Sequence, residues 1–274
     1  MKKKTLAIIM AILVAVLCFT FAACNGGTND DTTAPDTSTD AAASDLAYIQ
    51  DKGKLIVGMT DYAPMNYKDD NGEWTGFDTE FAQAVAKELG VEVEFIEINW
   101  DNKYLELEAK DIDCIWNGLT ITEEGKLNAN ISNPYVKNAQ VVVMKKDALA
   151  NYADVESIAD LAFVAEAGSA GEKEVQALEI ADYTAVNTQA DALLEVQSGT
   201  ADACVIDITM ANAMTGEGTS YADLGYALEL STEEYGIAFR KDSDVTAKVN
   251  DIMAALIADG TLEALAEKYE LTLA

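Results

Sequence analysis

From Asp45 onward the sequence predicts an α/β fold built from two similar halves. Short apolar segments typical of buried strands alternate with segments of helical period, an order that favours mainly parallel sheets. Half of the 274 residues are hydrophobic, which is enough to bury a substantial core. The segments 110–115 and 199–204 repeat one plan, in which a helix end, a tight turn and an aspartate precede a buried strand.

The first half has a clear order of predicted elements. Phe77 to Leu89 carries apolar residues spaced by four, and Gly90 after it is typical of a helix C-cap. In chain order the prediction is a strand at 54–58, a helix at 77–89, a strand at 91–96, a helix at 103–110 and a strand at 113–116.

A similar order returns in the second half. Ser169 with Glu172 three residues later forms a capping box, which predicts the start of a helix. The predicted elements are a strand at 163–165, helices at 172–178 and 190–198, and a strand at 202–206.

The N-terminal segment predicts export. Three lysines at 2–4 precede an apolar run from Leu6 to Ala23, which is the pattern of a secretory signal peptide. The run ends in Phe21-Ala22-Ala23-Cys24, which resembles the lipobox of bacterial lipoproteins, with Phe21 where leucine is usual. We therefore expect a signal peptide at 1–23, and an acylated Cys24 with a flexible tether at 24–44. An uncleaved membrane anchor is the alternative.

Composition excludes several classes of function. Forty-eight acidic residues against eighteen basic ones give a net charge of −30, which excludes a nucleic-acid partner. Histidine is absent, so histidine triads and most zinc sites are excluded as well, and we expect no metal, cofactor or catalytic set. Cys114 and Cys204 lie in apolar runs and are interpreted as buried hydrophobes, because no histidine is present to activate either thiol. A disulfide between them is the alternative, although their spacing gives it no support.

The loops at the carboxyl ends of the predicted strands share a composition that suits a ligand. Such loops bind ligands in open α/β sheets. Here they carry aromatic rings, hydroxyls, glycines and an isolated acid, which together suit a small zwitterion. The loops are Asp61-Tyr62, Asn99-Trp100, 117–120, 167–170 and Asp207.

Several blocks of the sequence follow one pattern: the most specific is 76–89, and the others are 113–122, 132–135, 168–169, 202–203 with Asp207, and 234–241. Together these blocks resemble a known family, the polar amino-acid solute-binding proteins of ABC importers, family 3. The resemblance runs from about Leu55 to the C-terminus. It implies a two-lobed periplasmic-binding-protein-like fold (type II), with a mixed, mainly parallel sheet flanked by helices in each lobe. Lobe 1 is then 45–139 plus 235–274 and lobe 2 is 140–234, with hinge crossovers near 140–143 and 232–235.

The resemblance also implies a set of ligand-binding residues. Aromatic rings would cover the ligand side chain, backbone and hydroxyl groups would bind its carboxylate, and Asp207 would pair with its ammonium. The rings could instead belong to the core, and Asp207 could be a helix N-cap. The implied residues are Tyr62, Trp100, Asn117, Gly118, Thr120, Ser169, Ala170 and Asp207, with Asp61 and Lys126 as further candidates.

One position departs from the family pattern. Where the family has an arginine that grips the ligand carboxylate, this sequence has Gly125. Lys126 is adjacent, although a lysine provides a point charge where arginine provides a fork, and it could equally be a solvated helix residue. The chain has a single arginine, Arg240, which is poorly placed to substitute. The identity of the solute is therefore open.

The resulting hypothesis is a monomeric lipoprotein, anchored by Cys24 to the outer face of the bacterial membrane. It would bind an amino acid or a similar solute and deliver it to the permease subunits of an ABC importer, without being an enzyme. An enzyme of the dehydratase or lyase type on the same scaffold is one alternative, with Glu166 or Glu124 as its acid or base. A sensory ligand-binding domain is another.

Overall fold

The computed structural model of the protein describes residues 44–274. The predicted signal peptide, Cys24 and nearly all of the predicted tether lie outside the described residues. Within that part of the chain, no helix has the length and apolar character needed to cross a membrane.

The first part of the described chain alternates strands and helices in the predicted order. Its elements are α1 (Asp45–Lys52), β1 (Lys54–Met59), β2 (Tyr67–Lys68), β3 (Trp74–Thr75), α2 (Phe77–Leu89), β4 (Glu92–Glu97), α3 (Lys103–Ala109), β5 (Cys114–Thr120), α4 (Glu123–Asn128) and β6 (Asn130–Ile131).

The second part repeats this alternation and adds two long strands and two C-terminal helices. Its elements are β7 (Val136–Lys145), β8 (Phe163–Glu166), α5 (Ala170–Ala177), β9 (Tyr183–Val186), α6 (Gln189–Ser198), β10 (Ala203–Asp207), α7 (Ile208–Met214), β11 (Leu224–Phe239), α8 (Val245–Ala258) and α9 (Thr261–Lys268).

One mixed sheet runs through the described chain in the order β4-β1-β5-β11-β7-β10-β8-β9, and β6 pairs with β11. The strands at each end of the sheet are parallel: β1 pairs with β4 and β5, and β8 pairs with β9 and β10. The central strands β7 and β11 are antiparallel to all their neighbours. Each end of the sheet therefore resembles a separate α/β unit, and the two central strands connect them.

The strands β7 and β11 contain the predicted crossovers. They pair with each other over most of their length, and Gln140 lies opposite Ser231. The segments 140–143 and 232–235 both fall inside these strands. The exact division into lobes at these points stays a prediction.

The helices pack on the sheet through aromatic residues of α2. The Phe81 ring meets Trp116 of β5 edge to face, with 4.8 Å between centroids, and Phe77 stacks on Tyr135 at 6.1 Å.

The bounds of α2 match the prediction. Helix α5 begins at Ala170 and not at 172, because the Ser169 hydroxyl caps it by accepting from the Glu172 N–H at 3.0 Å.

Two aspartates fasten equivalent turns in the two halves. The Asp113 carboxylate, before β5, accepts from the backbone N–H of Ile56 at 2.8 Å. Before β10, the Asp202 carboxylate accepts from the N–H of Ala162 at 3.0 Å. Both contacts join the start of one parallel strand to the start of its neighbour, so the internal similarity in the sequence corresponds to a shared structural role for the two acids.

Arg240 lies in a buried cluster of charges at the end of β11. Its guanidinium donates to Asp45 at 2.9 Å, to Asp113 at 3.2 Å and to the carbonyl oxygen of Ile112 at 2.7 Å. Lys52 adds a second cation at 2.6 Å from Asp113. The only arginine of the chain is thus committed to the scaffold.

Cys114 and Cys204 are free and buried, as interpreted from the sequence. Burial raises the pKa of both thiols, so both stay in the neutral, unreactive form at ordinary pH.

We expect Arg240→Met to lower the free energy of unfolding by about 3–5 kcal/mol, because it leaves Asp45 and Asp113 buried with less compensating charge. Denaturant titration of the two proteins would measure the difference. Lys54→Met is the matched control: it breaks an exposed ion pair with Glu94 and should cost about 0–1 kcal/mol. Equal losses in the two variants would contradict a structural role specific to Arg240.

Candidate functional site

A cavity of about 260 Å³ lies at the carboxyl ends of strands from both halves of the fold. Its walls come from the segments that follow β4 and β5 in the first half and β8 and β10 in the second. Most of the residues predicted to bind a ligand line it: Trp100, Asn117, Gly118, Thr120, Ser169, Ala170 and Asp207.

The structure does not bring the other three predicted residues to this cavity. Tyr62 is buried behind the β5 wall, and its hydroxyl is hydrogen-bonded to the hydroxyls of Thr209 and Tyr235. Asp61 lies beside a different cavity. Lys126 is exposed and forms an ion pair with Glu123 at 2.7 Å. Their proposed roles in ligand binding therefore gain no support from their positions.

The end of β5 is fixed by its own hydrogen bonds. The Asn117 side chain accepts from the Thr60 N–H at 3.0 Å and donates to the Thr60 carbonyl oxygen at 3.0 Å. The Gly118 N–H donates to the buried Asp78 carboxylate at 2.7 Å, so this donor is not free for a ligand carboxylate.

Gly118 also needs to be glycine. It has a φ of +58°, and a Cβ atom there would lie 2.7 Å from the Tyr62 ring and 3.1 Å from the Tyr235 ring. Since such contacts are too short, the rings behind β5 require a residue without a side chain at this point of the cavity wall.

The buried Asp207 and the half-buried Glu233 share amide donors at one side of the cavity. The Gln140 side-chain amide donates to Asp207 at 2.7 Å and to Glu233 at 2.8 Å, and Asn138 donates to the same two acids. The Thr120 hydroxyl donates to Glu233 at 2.7 Å. This network joins β5, β7, β10 and β11 where the central strands cross the sheet.

Asp207 is a buried acid without a neighbouring cation in this network. Gln189 donates to its carboxylate and accepts from its backbone N–H at 2.9 Å. Although Asp207 precedes α7, its side chain makes no capping hydrogen bond, so its carboxylate is not engaged in capping as the alternative assumed. Burial, reinforced by the charge of Glu233, raises the pKa of Asp207 to about 7.

Glu166 at the end of β8 is a second buried acid on the cavity wall. Its side chain is 2% exposed, and its Oε1 atom has no hydrogen-bond partner. Burial raises the pKa of Glu166 to about 8, the charge of Asp207 adds to the increase, and the charge of Lys103 opposes it.

Lys103 is the buried cation of the cavity. Its ammonium lies 4.9 Å from the centre of the Trp100 ring and 5.2 Å from that of Tyr104. It donates to the carbonyl oxygens of Trp100 at 3.0 Å and of Gly168 at 2.8 Å, so it links the two halves. Burial lowers the pKa of Lys103 to about 8, while the charge of Glu166 opposes this shift.

The N-terminus of α5 presents backbone donors at the same cavity. Glu172 accepts from the Gly168 N–H at 2.6 Å, and Ser169 accepts from the Glu172 N–H. Helix geometry leaves the N–H groups of Ala170 and Gly171 without an acceptor inside the helix. These two groups, with the positive end of the helix dipole, can bind an anion.

Contacts between the halves close the cavity entrance. Lys173 of α5 forms an ion pair with Glu124 of α4 at 2.5 Å, and both side chains are exposed. Gly168 lies against Asp101: a Cβ atom at Gly168 would be 2.8 Å from the Asp101 Cα. The structure is therefore a closed form, in which the loops after β4 and β8 meet.

Gly125 of α4 lies on the cavity wall. A Cβ atom there would be 2.9 Å from the Tyr104 hydroxyl and 3.1 Å from the Ile131 Cδ1 atom. The position where the family pattern has an arginine is thus at the cavity, and the Tyr104 hydroxyl occupies the space next to it.

Residues 44–274 contain no group of three or more histidine, cysteine or acidic side chains arranged to hold a metal ion. The cavity wall carries carboxylates, side-chain amides, backbone donors and the Lys103 ammonium.

Sequence reasoning missed several of these residues. Lys103 has a readable signal, because it lies one helical turn before Leu107 on the buried face of α3. The sequence gives no such signal for the buried amides or for Glu233, because polar residues within long strands also face solvent in most sheets. The missed residues are Asp78, Lys103, Asn138, Gln140, Gln189 and Glu233.

Comparison with known proteins finds similarity to one family along most of the chain. The family model of the bacterial extracellular solute-binding proteins, family 3, matches residues 55–272. The L-cystine-binding protein TcyJ of Escherichia coli K12 is 31% identical over 234 residues, which cover 82% of this chain and 85% of the relative. The arginine-binding extracellular protein ArtP of Bacillus subtilis is 31% identical over 229 residues, covering 80% and 86%.

A solved structure supports the fold. The ancestral amino acid-binding protein AncCDT-1, a precursor of cyclohexadienyl dehydratase, has a TM-score of 0.76 and 33% identity, covering 82% of this chain and 99% of that one. The two-lobed periplasmic-binding-protein-like fold expected from the sequence is confirmed.

We expect Asp78→Asn to flatten the pH dependence of stability. Burial raises the pKa of Asp78 from its ordinary value of 3.8 to about 7, so the folded state binds this proton more tightly than the unfolded state. The contribution of the protonated Asp78 carboxyl group to the free energy of unfolding is fully present below pH 3.8 and is lost as the pH rises through about 7. Between pH 5 and pH 8 the variant should therefore lose less stability than the wild type, by about 2–4 kcal/mol.

Denaturant titrations of the ligand-free protein at both pH values would measure this change. Asp51→Asn, at an exposed position of α1, is the matched control and should leave the slope unchanged. A variant as pH-dependent as the wild type would show that Asp78 is not protonated in the folded state.

Proposed function

Because the chain belongs to the bacterial extracellular solute-binding proteins, family 3, we propose that it captures an amino acid outside the cell and delivers it to the permease of an ABC importer. The observation that carries the proposal is the closed cavity between the two halves, with the buried Asp207 carboxylate on one wall and the N-terminus of α5 on another. Relatives named for binding cystine and arginine support an amino acid as the solute.

Each end of an amino acid has a partner in this cavity. Asp207 accepts the α-ammonium, and the N–H groups of Ala170 and Gly171 bind the α-carboxylate. The Trp100 ring covers the apolar part of the side chain. Thr120 takes part when the ligand draws its hydroxyl away from Glu233.

Binding works by closure about the central strands. A solute binds to one lobe while the cavity is open, and rotation about the crossovers in β7 and β11 brings the second lobe over it. The lobes of this proposal are 45–139 with 235–274, and 140–234. The contacts made by Lys103 and Lys173 across the entrance favour the closed form.

We place the protein at the outer face of the cell membrane as a monomer held by a lipid on Cys24. The apolar run before Cys24 and the polar segment after it support export and tethering. Mass spectrometry of the membrane-extracted protein would detect the acylated cysteine.

An enzyme on this scaffold is the second candidate. Glu166 is buried on the cavity wall, which suits a general acid, and AncCDT-1 is a precursor of an enzyme of the dehydratase type. Chromatography of each solute that binds, after prolonged incubation, separates the candidates: binding without product formation supports the transport role.

A thermal-shift screen of the purified folded body against amino acids, cystine, polyamines and short peptides tests the main proposal. A ligand present at one hundred times its dissociation constant adds about 2.7 kcal/mol of stability. If no amino acid or similar solute raises the melting temperature, the proposal is wrong.

We expect Asp207→Asn to weaken binding of the amino acid found in that screen by about 2–5 kcal/mol, because the ammonium would lose its buried anionic partner. The variant should stay folded, since asparagine is isosteric and neutral, as a protonated acid is. Calorimetry of the two proteins measures the loss, and circular dichroism checks the fold. Unchanged affinity would contradict the role of Asp207.

We expect Gly125→Arg to tighten the binding of a solute with a free carboxylate in a salt-sensitive manner, because it restores a guanidinium at the cavity wall. The Tyr104 hydroxyl must give way, so Tyr104→Phe is combined with the substitution and also serves alone as the control. Calorimetry at two salt concentrations measures the effect. Weaker binding by a folded double variant would indicate a solute without a carboxylate at this point.

A further inference from the structure

We infer that Glu166 is the acceptor for a second cationic nitrogen of the solute, so that this protein selects solutes carrying two cationic groups. The inference rests on the proposed function and deepens it. Asp207 takes one cation, the α-ammonium, and Glu166 takes a cation on the side chain, as in a basic amino acid.

Geometry supplies the first argument. Glu166 is 2% exposed and lines the cavity, and its Oε1 atom has no partner among the described residues. A buried carboxylate oxygen without a donor is costly, because its lost hydration is not replaced. A ligand that fills the cavity with a cationic N–H group would provide the missing donor.

The protein's own cation does not fill this role. The Lys103 ammonium is held by the carbonyl oxygens of Trp100 and Gly168 and by two aromatic rings, and it forms no ion pair with Glu166 within 4.0 Å in the described structure. Lys173, the other lysine on the cavity wall, pairs with Glu124 at the entrance. Glu166 therefore has a cation nearby but no ion-pair partner among the described residues, although the Thr60 side chain is a neutral hydrogen-bond partner of its carboxyl group.

Charge balance gives the second argument. The cavity wall holds two buried carboxyl groups, Glu166 and Asp207, and the half-buried Glu233 lies next to Asp207, whereas Lys103 is the one buried ammonium that the described residues place there. Burial raises the pKa of Glu166, and the charge of Asp207 raises it further. A solute with two cations relieves both acids at once, whereas a neutral zwitterion leaves Glu166 uncompensated.

Matched solutes test the inference directly. Lysine is compared with norleucine and arginine with citrulline, because each pair differs mainly in the side-chain charge, and calorimetry gives the dissociation constants. For the wild type we expect the cationic member to bind about 10–100 times more tightly than its neutral partner.

In Glu166→Gln we expect the ratio of the two dissociation constants within each pair of solutes to fall to about threefold or less. The dissociation constant of the neutral solute should change little. Glu108→Gln, an exposed position on α3, is the control and should keep the wild-type ratio. Because glutamine removes a buried ionisable group without changing its shape, Glu166→Gln should also raise the melting temperature of the ligand-free protein at pH 8. A purely structural glutamate would lower it.

The outcomes separate the inference from the proposed function. A wild type that binds an amino acid but prefers neutral members, or a Glu166→Gln variant that keeps the wild-type ratio, overturns the inference and leaves the proposed function intact. A wild type that binds none of the screened solutes overturns the proposed function. Binding of 1,5-diaminopentane as tightly as lysine would support the second-cation site while arguing against a carboxylate contact.

Discussion

Asp207 and Glu233 lie side by side where the two halves connect, and the side-chain amides of Asn138 and Gln140 donate hydrogen bonds to both acids. Amides can share their hydrogens between two acids but bring no positive charge, so part of the cost of burying Asp207 beside a second acid remains. The network spans β7, β10 and β11, the strands through which the halves are connected. Any movement about these strands must therefore carry the charged wall of the cavity with it.

The scarcity of cations decides where charge can be compensated. Arg240 neutralises Asp45 and Asp113 at the opposite ends of the parallel strands, where it fastens α1 and β11 to the sheet. Lys103 is the one buried cation that the described residues place on the cavity wall, and its hydrogen bonds go to backbone carbonyls. The protein's own cations thus neutralise the buried acids of the scaffold, whereas the cavity is left with an excess of negative charge.

The fold could be predicted well from the sequence because its signals are local. Helical period and the glycine at 90 define α2 to the residue, and the repeated aspartates mark equivalent turns. The cavity wall followed from the rule that ligands bind at strand ends. Tyr62 could not be placed in this way, because whether its ring faces the cavity or the core depends on Gly118 and Tyr235, which are distant in sequence. Glu233 could not be predicted either, because a polar residue within a long strand such as β11 also faces solvent in most sheets.

An excess of buried acid is also a means of discrimination. Burial raises the pKa of Glu166 to about 8 and that of Asp207 to about 7, so the ionisation of both acids is opposed unless a ligand cation compensates it. A neutral solute of the same shape meets no steric clash, yet it leaves the electrostatic cost of the two buried acids uncompensated. Specificity then arises from the difference in electrostatic compensation between two solutes, and the penalty against the wrong one is built into the ligand-free protein. A protein with such a cavity is less stable than one with an apolar cavity, and ligand binding restores the missing stability.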